Sequence, residues 1–277
     1  MYYMSNVYVK GTGGLGNSLF QISAAIYYCE KYNYRLILLR NETLLFGTSN
    51  MFDKKQMLCV DNKYITYDKT LLNKLTFVED ISPNFRIVHN DYTNNKEHTV
   101  NGKDIMISGY NQNIDLFKDV FSEIPNYLNL HDAYYNDYIR NKYGDIKGAT
   151  LICIRIGRDF SHMKKINRGS YLKALDFLKS KGEELKKIYV VSDIPIGNYF
   201  ENSNIVEIIE SDIIQFYFGL QCKNYILSES TFHLWIAYLG TDFGKNSDKH
   251  VICFNNTDIT NRRLDLASFI KLDYLTV

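Results

Sequence analysis

Proline is scarce in this sequence: its 277 residues hold only Pro83, Pro125 and Pro195, and no Pro-rich or Gly/Ser-rich run occurs. A flexible linker of either composition is therefore excluded, and any boundary between domains must be short. An excess of charge is missing too. With 32 Lys and Arg against 31 Asp and Glu, the formal net charge is +1, so no global field favours nucleic acid or an anionic membrane. There is no window of about 18 uncharged apolar residues, and the opening stretch M-Y-Y-M-S-N-V-Y-V-K has neither the basic region nor the apolar core of a signal peptide. These absences lead us to expect a cytoplasmic protein with no transmembrane segment. Cysteine pairing is absent as well. Cys29, Cys59, Cys153, Cys222 and Cys253 are odd in number and scattered, without CxxC spacing, and are expected to be buried thiols in a reducing compartment.

What is present is the patterning of an α/β protein. Hydrophobic residues at 45% and charged residues at 23% are close to globular averages, and the length suits one large α/β domain or two ordinary ones. The extended run Asn6 to Lys10 leads into G-T-G-G-L-G, after which Leu19, Ile22, Ser23, Ile26 and Cys29 fall at helical spacing; Arg35 to Leu39 then reads as a second strand. This is a βαβ unit. The polar stretch from Arg40 to Lys103 offers only short strand-like pieces, Lys63 to Tyr67 and Phe85 to His89. Asp104 to Ser108 is strand-like, Ile114 to Ile124 reads as an amphipathic helix with Leu116, Phe117, Val120 and Phe121 on one face, and a polar helix from about Leu130 to Tyr143 ends at Gly144. We expect a domain boundary there, with domains at 1–146 and 147–277. The second half alternates more clearly: strands at Leu151 to Ile154, Ile188 to Ser192, Ile205 to Ile209, Asn224 to Leu227 and His250 to Phe254, separated by helices near Ser170 to Lys181, Asp212 to Gln221 and Thr231 to Leu239. The expected fold is two Rossmann-like domains facing each other across a cleft.

Two stretches carry candidate chemistry. In A-T-L-I-C-I-R-I-G-R-D-F, Ala149 to Phe160, the apolar run stops at Arg155, turns at Gly157 and presents Arg158 and Asp159. Ligands of open α/β sheets bind beyond the carboxyl ends of strands, so this is a candidate binding loop. The alternative is an ordinary loop in which Arg155 pairs with a nearby carboxylate. In the first half, Gly11, Gly13 and Gly16 satisfy G-x-G-x-x-G between strand and helix, the setting of the dinucleotide fingerprint. Where that fingerprint expects an acid this chain has Arg40, and an arginine suits a 2′-phosphate, so an NADP-dependent oxidoreductase stays open. Asn17, directly after the loop, is a candidate polar contact or a helix cap.

The glycines also sit inside a longer match. Gly13-Gly14-Leu15-Gly16-Asn17-Ser18-Leu19-Phe20-Gln21 resembles the G-G-L-G-N-Q-[LM]-F-Q signature of the alpha-1,2-fucosyltransferases at eight of nine positions, with Ser18 in place of Gln. Ser108-Gly109-Tyr110-Asn111-Gln112 resembles that family's G-Y-[FW]-Q segment, Ile188 to Asp193 its F-Y-I-F-S-D strand, and Ser230 to Leu239 its S-[ST]-F-S-W-W-A-A-W-L helix. The matches run in order from residue 5 to about residue 255. One departs from the pattern: where that family has H-x-R-x-G-D, this chain reads Cys153-Ile154-Arg155-Ile156-Gly157-Arg158-Asp159. The longer R-I-G-x-D spacing, followed by an aromatic, is similar to the peptide O-fucosyltransferases, which use the same donor.

The resemblance implies a GT-B-like inverting glycosyltransferase that moves L-fucose from GDP-fucose to a glycan hydroxyl, as a galactoside alpha-1,2-fucosyltransferase does. It implies a nucleotide-sugar site in the C-terminal domain made by Arg155, Gly157, Asp159, Asp193, Ser228, Ser230, Thr231 and Phe232, with Arg155 catalytic and Asp159 on the guanine. Gly13, Gly14, Gly16 and Asn17 fall on the acceptor side of the cleft. No two aspartates stand two residues apart, so the Asp-x-Asp pair that holds Mn²⁺ or Mg²⁺ in many nucleotide-sugar enzymes is missing. The diphosphate charge is then expected to meet Arg155 and helix N-termini, with no metal or other cofactor. Candidate general bases are Glu229, Asp193 and His162, whereas His233, in an apolar helix, is expected to be a packed core histidine. Cys153 and Ser18, at departures from the pattern, keep open a degenerate nucleotide-sugar-binding protein.

Overall fold

The structure, a computed structural model, describes residues 5–40, 59–60, 63–64, 66–81, 84–89, 103–155, 166–200, 204–255 and 257–273. The chain divides into two compact units, Met1–Asp132 and Ala133–Val277.

In the first unit, β1 (Asn6–Val9) leads through a glycine loop into α1 (Leu15–Tyr32) and β2 (Arg35–Leu39). The short pair β3 (Cys59–Val60) and β4 (Lys63–Tyr64) is antiparallel, and β5 (Thr76–Val78), β6 (Arg86–His89) and β7 (Ile105–Ser108) follow. The main sheet is parallel, in the order β5-β2-β1-β7-β6. Val7 and Val9 are fully buried and Tyr8 nearly so, as expected of a central parallel strand covered on both faces. α1 stops where Asn33 turns left-handed at φ 57°, an αL helix end.

Two expectations are corrected here. Of the strand-like run Lys63 to Tyr67, Lys63–Tyr64 form β4, and Tyr67 already belongs to a 3₁₀ turn, Tyr67–Lys69. The helix expected over Ile114 to Ile124 is broken into α2 (Ile114–Phe117), a 3₁₀ turn at Lys118–Val120 and α3 (Ile124–Tyr127). Phe117 leaves helical geometry at φ −130°, ψ 11°. Pro125, with no N–H to donate, restarts the helix in its first turn. The apolar face survives the break, since Phe117, Val120 and Ile124 remain buried.

The second unit begins with α4 (Ala133–Tyr143), ahead of the boundary expected at residue 146. The partners of this helix account for its place. Tyr135 stacks on Tyr217 with centroids 4.8 Å apart and planes at 7°, while Tyr138, Lys142 and Tyr143 all donate to the Glu210 carboxylate. After it come β8 (Thr150–Ile154), α5 (Arg168–Ser180), β9 (Ile188–Ser192), β10 (Ile205–Glu207), α6 (Asp212–Gln221), β11 (Asn224–Ile226), α7 (Thr231–Gly240), β12 (Val251–Phe254), α8 (Asp258–Asn261) and β13 (Ile270–Leu272). All six strands are parallel, in the order β10-β9-β8-β11-β12-β13, the doubly wound arrangement in which the first strand lies at the centre. Ile152, Ile154, Val190, Ile226, Ile252 and Phe254 form one core with Tyr171, Ala174 and Leu178 of α5; each large side chain contributes on the order of 1.5–3 kcal/mol by leaving water. On α6, Gly219 lets α7 come close: a Cβ there would stand 2.3 Å from Ile236 Cγ2.

Candidate functional site

In the second unit, strand register assembles the site. Ile154 of β8 pairs with Ser192 of β9, so the next residues, Arg155 and Asp193, emerge side by side at the carboxyl edge. On the other flank of β8, Ile152 pairs with Ile226 of β11, which brings the Leu227 to Ser230 turn to the same edge. Because β9 and β11 lie on opposite sides of β8, this is the point at which the strand order reverses, where open α/β sheets hold their ligands.

Arg155 is the hub. Its Nη1 donates to Ser230 Oγ at 3.2 Å, and its Nε lies 3.8 Å from Asp193 Oδ2. The side chains of Arg155 and Asp193 keep 25% and 16% exposure, so the guanidinium remains within reach of a ligand. Ser230 occupies the N-cap position of α7, yet its side chain makes no capping bond to the helix; its hydroxyl accepts from Arg155 instead. Ser228 Oγ is 3.0 Å from Nδ1 of His233. Burial, together with the nearby Arg155 charge, pushes the His233 pKa down to about 3, so the imidazole is neutral at ordinary pH. His233 is thus buried, as expected, and is also tied to the loop that carries the site. Thr231 opens α7, and Phe232, half-buried, packs on Phe216 with ring centroids 5.8 Å apart. A cation beside a helix N-terminus and two hydroxyls can hold phosphate oxygens. Gly157 and Asp159, and with them Arg158 and His162, lie outside the described residues.

In the first unit, Val9 of β1 pairs with Ile107 of β7. Both strands then leave the sheet through left-handed glycines, Gly11 at φ 72° and Gly109 at φ 78°. Carboxamides stitch the two loops together. Gln21, on α1, donates through Nε2 to Thr12 Oγ1 at 2.7 Å and to the Gly109 carbonyl at 2.6 Å. Asn111 donates to the Ser108 and Gly109 carbonyls, and Gln112 Nε2 donates to Asn17 Oδ1 at 2.7 Å. The cap of α1 is Gly14, and Asn17 sits inside the first turn, so the capping role offered for Asn17 is corrected. Gly13 has φ +69°, and a Cβ there would stand 2.4 Å from Asn17 Nδ2. Gly14 and Gly16 complete the turn into the helix.

Known structures share this architecture. No protein-family model and no curated protein matches the chain by sequence. Among solved structures, a glycosyl transferase family 9 protein from Veillonella parvula superposes with a TM-score of 0.52 at 11% identity, over 100% of this chain and 89% of the other. POFUT1 in complex with GDP superposes with a TM-score of 0.51 at 9% identity, over 90% of this chain and 97% of the other. The fold is that of GT-B glycosyltransferases.

The oxidoreductase alternative needed Arg40 for a 2′-phosphate. That guanidinium instead donates to Asp68 Oδ2 at 2.9 Å and lies 3.1 Å from Glu79 Oε1. Two carboxylates on the same arginine repel a phosphate. Among the described residues, no helix is long and apolar enough to cross a membrane, and no group of three or more His, Cys, Asp and Glu is placed to hold a metal ion. Sequence reasoning assigned no role to Gln21, Asn111 or Gln112. The signal was there, since all three fall inside quoted motifs, but their partners are remote in the chain.

Proposed function

We propose that this protein is an inverting glycosyltransferase that moves L-fucose from GDP-fucose to a glycan hydroxyl, with a galactoside 2-hydroxyl as the acceptor. The observation that carries the reading is the Arg155, Ser230 and Asp193 constellation at the centre of the second sheet's carboxyl edge. Its support is the fold shared with a glycosyl transferase family 9 protein and with POFUT1, whose structure contains GDP. In this reading Arg155 forks two N–H donors onto the diphosphate, and the N-terminus of α7, with Ser228, Ser230 and Thr231, adds further donors. Asp159 takes the guanine; Asp193 and Phe232 border the nucleotide.

The bond from the fucose anomeric carbon to the diphosphate oxygen breaks, the acceptor oxygen bonds from the opposite face, and its proton leaves to a carboxylate, Glu229 or Asp193. Gly13, Gly14, Gly16 and Asn17 form the acceptor side. Metal independence belongs to the same reading and rests on Arg155 and on the missing Asp-x-Asp pair. A cytoplasmic location is supported by the buried free thiols of Cys29, Cys153, Cys222 and Cys253.

The test is a donor screen with GDP-fucose, GDP-mannose and the common UDP-sugars, with and without a galactoside. GDP release from GDP-fucose, accelerated by the galactoside, is the expected result. Preference for another donor, or turnover of none, overturns the reading.

A further inference from the structure

Gln112 lies in a segment to which the reading above gives no role. Its side chain is 2% exposed, and its Nε2 donates to Asn17 Oδ1 at 2.7 Å across 95 residues of sequence. A carboxamide has two faces, an oxygen that only accepts and a nitrogen that only donates, and a neighbour that bonds one of them decides where the other points. With Oδ1 held by Gln112, the Asn17 Nδ2 is turned over Gly13, into the space that a side chain at residue 13 would fill. The support for Gln112 is itself rigid. Asn111, immediately before it, is fully buried at φ 50° and bonds the carbonyls of Ser108 and Gly109, and Gln21 bonds the same Gly109 carbonyl.

We propose that Gln112 is a positioning residue: it fixes the orientation of the Asn17 carboxamide, so that this loop presents a hydrogen-bond donor to an oxygen of the acceptor glycan. The proposal rests on the reading of Asn17 as a substrate-facing residue. It gives the carboxamides around the first glycine loop a purpose that packing alone does not require. A hydrocarbon side chain of the same length would fill the position of Gln112 without donating to Asn17 Oδ1.

The test compares Gln112→Glu, Gln112→Met, Asn17→Ala and the double variant Asn17→Ala/Gln112→Glu. Glutamate has the shape of glutamine; ionised, it accepts only, and so turns Asn17 around. Burial raises a carboxyl pKa, and the protonated form can donate to Asn17 Oδ1 again. Gln112→Glu is therefore expected to lose about ten- to a hundredfold in kcat at neutral pH, the scale of a misplaced catalytic contact, and to recover relative to wild type as the pH falls. Gln112→Met should show the loss without the recovery. GDP binding should stay close to wild type; the buried carboxylate should lower the melting temperature of Gln112→Glu at neutral pH but not that of Gln112→Met, and Gln112→Glu should cost no further kcat once Asn17 is alanine. A second readout is independent of turnover: the Asn17 side-chain NH₂ resonances, identified by their loss in Asn17→Ala, should shift in Gln112→Glu. Unmoved resonances overturn the proposal even if no donor is turned over by the wild type. So do an undiminished kcat, an equal loss in the Asn17→Ala background, or a kcat loss in Gln112→Met that is accounted for by unfolding at the assay temperature.

Discussion

The two parallel sheets carry their candidate loops at comparable places, and the side-chain bonds that hold those loops differ in kind. Around β8 the groups are ionic: Arg155 faces Asp193 and Ser230, with a neutral His233 behind Ser228. Around β1 the side chains that tie the glycine loop are uncharged: Gln21, Asn111 and Gln112 bind that loop, its neighbour and Asn17 with neutral hydrogen bonds. An arginine beside a carboxylate on a partly exposed edge can exchange that partner for a phosphate, because the ion pair is long and solvent reaches both groups. A set of buried carboxamides cannot supply charge, but a bond to one face of a carboxamide fixes where the other face points, as Gln112 does for Asn17. On the proposed function, the ionic edge of the second unit provides affinity for the diphosphate.

The sharpest way to break this contrast is to make a conservative change on each side. Arg155→Lys keeps the charge and loses the planar fork; turnover should fall about 10²- to 10³-fold, the scale seen when a preorganised donor is removed, with the melting temperature unchanged. Asn17→Ala should also impair transfer, but it should retain the GDP-induced thermal shift that Arg155→Lys weakens. Steady-state kinetics and melting curves on the same preparations decide. Near-wild-type kcat in Arg155→Lys would reduce Arg155 to a structural ion pair.

A somewhat smaller effect concerns the ligand alone. GDP at a hundredfold excess over its Kd should stabilise the protein by about 2.7 kcal/mol, and EDTA should leave that shift in place. Loss of the shift on chelation would mean that a divalent ion, and not Arg155, carries the diphosphate.

The smallest expected effect is a pH dependence confined to the second unit. His233 has its pKa lowered from 6.5 to about 3 by burial and by Arg155. Above pH 6.5 the imidazole is neutral whether the chain is folded or not. Below that, the unfolded chain takes up a proton that the folded one refuses until about pH 3, so stability falls as the pH falls, by up to about 1.4 kcal/mol per unit. His233→Asn keeps a polar partner for Ser228 but does not titrate. Its urea midpoint should therefore decline less than that of wild type between pH 6.5 and pH 5. Equal declines would show that other groups set the acid limit.

Much of this was legible in the sequence because it is local. An apolar run that stops at Arg155 marks a strand end, glycines between a strand and a helix mark a turn with positive φ, and alternating strands and helices mark parallel sheets. The expected helix over residues 114–124 failed because apolar spacing survives a break in the backbone, which Phe117 introduces without disturbing the burial of Phe117, Val120 and Ile124. The site partnerships were out of reach for a different reason. Arg155 meets Ser230 across 75 residues, and Asn17 meets Gln112 across 95, and no periodicity encodes pairings of that range. The sequence by itself determined the order of elements and the residue types at the strand ends. Only the tertiary structure decided which strand ends are neighbours, through the strand order β10-β9-β8-β11 and the register of Ile154 with Ser192. Register is set by burying the apolar faces of both strands at once, a requirement that neither strand states alone.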